Sequence, residues 1–172
     1  MSLTIRIPGE PFAQPRHRSV PLMRNGSPVL GKGGRPILVE YDPKEAKNWK
    51  ATAQGHMLGA RFPSGSLEGC LEGPVELRIL AVFTCPKSDH RKREPLGRRW
   101  HTKKPDADNV LKAVKDSAKG VLWLDDSQVC LESCEKHIGA QGEAPYVEIT
   151  VRGIERGPET ITNSEEKSDA DR

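Results

Sequence analysis

A chain of 172 residues with a formal charge of +3 is long enough for one domain with a buried core. Hydrophobic residues make up 35% and charged residues 30%, and 16 glycines and 14 prolines point to a modest core carrying long loops rather than a dense helical bundle. No apolar run is long enough for a transmembrane helix, and the opening Met1-Ser2-Leu3-Thr4-Ile5-Arg6 lacks the apolar centre of a signal peptide, so a cytoplasmic location and no membrane partner are expected.

Residues 3–7 alternate apolar and polar and predict a first strand, which Pro8-Gly9-Glu10-Pro11 breaks. Residues 12–35 show no sustained periodicity and predict a long loop carrying Arg16, His17, Arg18, Arg24, Lys32 and Arg35. Residues 37–41 predict a short strand. Asp42-Pro43 is a helix start, with Asp42 as N-cap and Pro43 at the first position, and the helix is expected to reach about residue 58. Ala46, Trp49, Ala53 and Met57 share its apolar face. A second loop is expected over residues 59–73.

Residues 75–83 predict a strand, and apolar residues on both of its faces near the end mark it as central. Residues 87–104 form a basic connector with eight Lys or Arg against two acidic residues. A second helix is predicted from about Asp108 to Lys119, stopped by Gly120, with Val110, Leu111, Val114 and Ala118 as its buried stripe. Residues 129–138 and 146–151 predict two closing strands. The expected architecture is α+β: a single domain over residues 1–154, with one mixed sheet, two main helices packed on it and long basic loops. Residues 155–172 are polar and aperiodic and predict a disordered tail. That tail holds six acidic and three basic residues, which leaves residues 1–154 with about +6, a mild argument for a polyanionic partner.

The four cysteines are expected to be reduced. Cys130, Cys134 and His137 do not follow a zinc-ligand spacing and have no evident fourth ligand, so they predict structural thiols.

The densest chemistry lies in Lys104-Pro105-Asp106-Ala107-Asp108-Asn109-Val110-Leu111-Lys112 and in Trp123-Leu124-Asp125-Asp126-Ser127. Asp106 and Asp108 flank one alanine at the predicted helix mouth, where the helix dipole favours anions. Lys112 follows on the same face as Asp108. Two more carboxylates stand just past the helix end. Mg²⁺ binds through a few carboxylates plus water and phosphate, so this set suits metal-assisted phosphodiester hydrolysis. The competing explanation is ordinary: Asp108 as N-cap, the other aspartates as turn residues, and Lys112 in a surface ion pair with Asp108 or Asp116. Capping accounts for one aspartate well, but not for four beside a basic segment.

These two motifs, with Ile7-Pro8-Gly9-Glu10-Pro11 and Gln14-Pro15-Arg16-His17-Arg18, resemble the RusA family of Holliday-junction resolvases across most of residues 3–151. The resemblance implies a homodimeric, Mg²⁺-dependent endonuclease of branched DNA, with Mn²⁺ as a substitute ion and four-way junctions as substrate. It implies Asp106, Asp108 and Asp126 as metal ligands and Lys112 as the essential lysine, leaving Asp125 as the neighbour set aside. The implied site assembles from the two ends of one helix-strand unit. Candidate phosphate contacts are Arg16, Arg18, Arg98, Arg99, Lys103 and Lys104. A non-catalytic, junction-binding or architectural DNA protein is the alternative reading.

Overall fold

A computed structural model of the chain describes residues 2–15, 18–41, 43–61 and 70–154. In chain order its elements are β1 (Ser2–Pro8), β2 (Arg18–Pro21), β3 (Met23–Arg24), β4 (Ser27–Pro28), β5 (Leu38–Tyr41), α1 (Lys44–Arg61), β6 (Val75–Phe83), β7 (Arg99–Trp100), α2 (Ala107–Ala118), β8 (Val129–Ile138) and β9 (Tyr146–Gly153). Asp42, the Arg16-His17 pair, most of the second loop and the tail from residue 155 lie outside the described residues.

The main sheet has strand order β1-β9-β6-β8-β7. β6 is central, as its two apolar faces predict. It pairs in parallel with β8 and antiparallel with β9, so the sheet is mixed. Ile5 and Ile7 of β1, Leu77 and Ile79 of β6, and Val147, Ile149 and Val151 of β9 point to one face. Ala53 and Met57 of α1 and Val110, Val114 and Ala118 of α2 close over them in a single core. Each large side chain buried there contributes about 1.5–3 kcal/mol. The other face carries polar pairs: Arg6 with Glu148 at 2.7 Å and Thr4 with Thr150 at 3.2 Å across strands, and Arg78 with Glu76 at 2.6 Å along β6.

A parallel pair needs a crossover to return the chain to the starting end of the sheet. α2 is the return leg between β6 and β8, and it therefore runs opposite to β8. Gly120, at φ +73°, takes the left-handed conformation that ends the helix.

The expected long loop is different. Within and beyond the loop expected over residues 12–35, residues 18–41 form a β-ribbon in which β2 pairs with β5, the short strand predicted at residues 37–41, and β3 pairs with β4. Asn25 (φ +51°) and Gly26 (φ +80°) turn it, both with the positive φ that a tight hairpin demands. The basic connector likewise contains one short strand, β7, docked on the end of β8. Among the described residues no helix is long and apolar enough to cross a membrane.

Candidate functional site

Asp106 occupies the N-cap position of α2 in extended conformation (φ −74°, ψ 149°), yet its side chain makes no capping hydrogen bond. Asp108 sits in the first turn rather than at the cap. Both are exposed, and so is Lys112 one turn on. Capping therefore does not account for the Asp106 carboxylate, which has no hydrogen-bond or ion-pair partner among the described residues and stands in the positive field of the helix end. The approach to this point is fixed by β8: Lys136 Nζ donates to the carbonyl of Lys103 at 2.9 Å and to that of Pro105. His101 N–H donates to the Lys136 carbonyl at 3.0 Å, and the His101 ring stacks on Phe83 at 4.5 Å. Burial, ahead of the Lys136 charge, pushes the His101 pKa down and keeps the ring neutral. From the other side, Gln14 N–H donates to the Asn109 carbonyl at 2.9 Å, which brings the N-terminal motif to the same helix end.

The second carboxylate pair stands at the far end of α2. Asp125 caps a short 3-10 turn over Asp126–Gln128, accepting from Ser127 N–H at 3.0 Å, while its own N–H donates to Gln128 Oε1 at 2.9 Å. Lys119 Nζ lies 2.6 Å from Asp125 Oδ2. That ammonium first, and the Ser127 N–H next, hold the Asp125 carboxyl far below the usual carboxylate range. Asp126 differs: its Oδ1 accepts from Nε1 of the fully buried Trp123 at 2.9 Å. A core indole thus aims the Asp126 side chain, whereas Asp125 is occupied by its own turn.

A consequence for stability follows. The Asp125 pKa is depressed on folding, so its contribution is present above the unfolded carboxylate value of about 3.9 and fades as pH falls below it. The Asp125→Asn protein should melt a few degrees below wild type at pH 7, and the gap should narrow below about pH 4. Thermal unfolding at stepped pH measures it.

The two ends do not meet within one chain. α2 has 12 residues and is about 18 Å long, with Asp106 before it and Asp126 after it. Among the described residues no three Asp, Glu, His or Cys side chains converge as a metal site. The convergence implied by the resemblance is therefore not reached inside a single chain, because a straight helix holds its two flanks apart. Asp106 and Asp108, as exposed hard oxygen donors, fit a Mg²⁺ ion. Asp126 does not reach them.

The candidate phosphate contacts divide. Arg98 is engaged by Glu143 and by the Tyr146 hydroxyl at 2.9 Å, and Arg99 by Asp89. Lys103 and Lys104 are exposed and make no ion pair among the described residues. Arg18 opens β2, and Arg16 lies outside the described residues. Trp100 stands 66% exposed on β7, its ring 4.3 Å from that of His137. That stacking engages His137 on the sheet face opposite Cys134, since strand neighbours an odd number of residues apart point to opposite faces. Burial pushes the Cys134 thiol up to about 11, in keeping with a structural cysteine.

Comparison with known proteins agrees with the motifs. A protein of Bacillus subtilis (strain 168), uncharacterized protein YqaN, is 30% identical over 151 residues, covering 85% of this chain and 92% of the relative. The family described as Endodeoxyribonuclease RusA matches residues 8–152, which run from the last residue of β1 into β9 and include both ends of α2. The chain belongs to the RusA endodeoxyribonuclease family.

Proposed function

We propose that this protein is a Mg²⁺-dependent, structure-specific DNA endonuclease that resolves four-way junctions by phosphodiester hydrolysis, acting as a homodimer through residues 1–154. The observation that carries the reading is the Asp106 carboxylate, unpartnered among the described residues and exposed with Asp108 at the mouth of α2 in a chain of this endodeoxyribonuclease family. Asp106 and Asp108 would hold the ion. A bound divalent cation supplies Lewis-acid stabilisation of phosphate charge and a more acidic water. Lys112, one turn along α2, is the cation that balances charge on the phosphate. Lys103 and Lys104 add sequence-independent backbone contacts, whose contribution falls as salt rises.

A labelled four-way junction incubated with the protein and Mg²⁺ or Mn²⁺ tests the reading, with Asp106→Asn as control. Wild type should cut and the variant should not. Binding without cleavage in either metal would leave the second reading, a non-catalytic junction-binding or architectural protein. The separation of Asp126 from Asp106 within the chain is the observation in its favour.

The exposed Trp100 ring, backed by His137 and set on the strand leading to Lys103 and Lys104, suits stacking against an unpaired base. Trp100→Ala should weaken branched-DNA binding by about 1–3 kcal/mol, or roughly 5- to 150-fold, with smaller losses on linear duplex. Fluorescence anisotropy on the two DNAs reads this directly.

A further inference from the structure

We propose that Lys136 is a positioning residue of the nuclease site: its ammonium holds the backbone that aims the Asp106 carboxylate, and so sets how tightly the divalent ion is bound. The proposal rests on the nuclease reading above and deepens it. It begins from one residue that grips a short segment three times. Lys136 Nζ donates to the Lys103 carbonyl at 2.9 Å and to the Pro105 carbonyl. The Lys136 carbonyl accepts from His101 N–H at 3.0 Å. Among the described residues no other hydrogen bond ties residues 102–105 to the rest of the protein.

The brace starts from a well-anchored strand. Lys136 stands opposite Ala81 of the central strand β6. It shares a sheet face with Cys134, which packs against the core beneath the helices. Lys136 is half-buried, so water competes less for its ammonium, and bonds from an ammonium to carbonyls are charge-assisted. The Pro105 carbonyl and the Asp106 N–H belong to one rigid peptide plane. Holding that carbonyl holds the plane from which Asp106 projects. On its other side, the Asp106 carbonyl accepts from Val110 N–H at 3.4 Å, the first bond of α2. With its backbone held at both ends, Asp106 keeps only its own side-chain rotations.

The Asp106 carboxylate has no hydrogen-bond partner of its own among the described residues, so its direction comes from this backbone. Groups that orient a metal ligand from outside commonly change metal affinity or activity by about 10–100-fold when they are removed. Lys115 offers a comparison on the same two elements. It joins α2 to β8 through Glu132, with Nζ 2.9 Å from Oε2, but that bond is between side chains and holds no backbone next to Asp106. The two lysines therefore differ in what their loss releases: a pair of side chains for Lys115, a ligand-bearing segment for Lys136.

Metal titration of the full chain tests this. Lys136→Met removes the ammonium and keeps an unbranched apolar side chain. Mn²⁺ binding, read from loss of the free-ion electron paramagnetic resonance signal, should weaken by about 10–100-fold. The Mg²⁺ concentration that gives half-maximal junction cleavage should rise by a similar factor. Lys115→Met should leave both midpoints unchanged. A merely structural role does not move a midpoint: partial unfolding lowers the amplitude of binding and of cleavage, but not the concentration at which the folded fraction fills. Wild-type midpoints in Lys136→Met therefore overturn the proposal, even if total activity falls, and leave the nuclease reading standing. An equal shift in Lys115→Met overturns it as well. If Lys136→Met does not fold, Lys136→Gln, also neutral, is judged by the same midpoints. A wild type that binds Mn²⁺ but never cleaves overturns the nuclease reading, and the Mn²⁺ titration then decides the role of Lys136 by itself. A wild type that neither binds Mn²⁺ nor cleaves overturns both.

Discussion

Asp106→Asn should lower the cleavage rate by about 10³-fold or more, equivalent to ~4 kcal/mol of transition-state stabilisation, with no loss of folding stability. The two halves of that expectation have separate origins. The rate falls because a neutral amide cannot replace a carboxylate facing a divalent cation and phosphate. Stability holds because the Asp106 side chain makes no capping hydrogen bond, and Asn is as good an N-cap residue as Asp. Nicking kinetics and urea unfolding on one preparation check both. Cleavage at the wild-type rate would remove Asp106 from the site. A drop in unfolding midpoint matching the lost activity would reduce it to a structural residue.

Trp123 should give the largest effect on stability. Its side chain is fully buried between the end of α2 and the start of β8. Trp123→Ala should cost about 3–5 kcal/mol through lost burial and the cavity left behind. Trp123→Phe separates packing from positioning. It keeps most of the apolar contact but removes the Nε1–H that holds Asp126 Oδ1 at 2.9 Å. Junction cleavage should then fall by roughly 10–100-fold, more than the modest loss of stability explains, because a misplaced ligand costs rate steeply. Equal activity in the Phe variant would show that Asp126 needs no aiming by the core. Chemical denaturation, circular dichroism and single-turnover nicking together distinguish the cases.

The residues that carried strong local signals were legible in the sequence. β6 follows its apolar run from Val75 to Phe83, and α2 sits within a residue of its expected ends because Gly120 marks its stop. In the ribbon, β5 follows its predicted strand, whereas β2, β3 and β4 carry no legible periodicity because they are two to four residues long and broken by Pro and Gly. Their one local signal was the Asn25-Gly26 dipeptide, which favours a tight hairpin. At the site, the neighbours Asp106, Asp108 and Lys112 share one helix end, so spacing alone relates them. Their relation to Asp126 depends on the direction of α2 against β8, which spacing does not contain. The engagement of Arg98 by Glu143 and of Arg99 by Asp89 was equally hidden, since each partner comes from elsewhere in the chain.

The ribbon has a consequence of its own. Among the described residues its strands hydrogen-bond to one another and not to the five-stranded sheet. Its contacts are short in sequence, whereas those of the sheet join residue 2 to residue 152. Chain segments with such different contact ranges open on different timescales. Backbone amides of the ribbon should therefore exchange with solvent faster than those of the five-stranded sheet, which hydrogen-exchange measurements check. The length and tip of that ribbon can change without disturbing the strands that set the carboxylates in place.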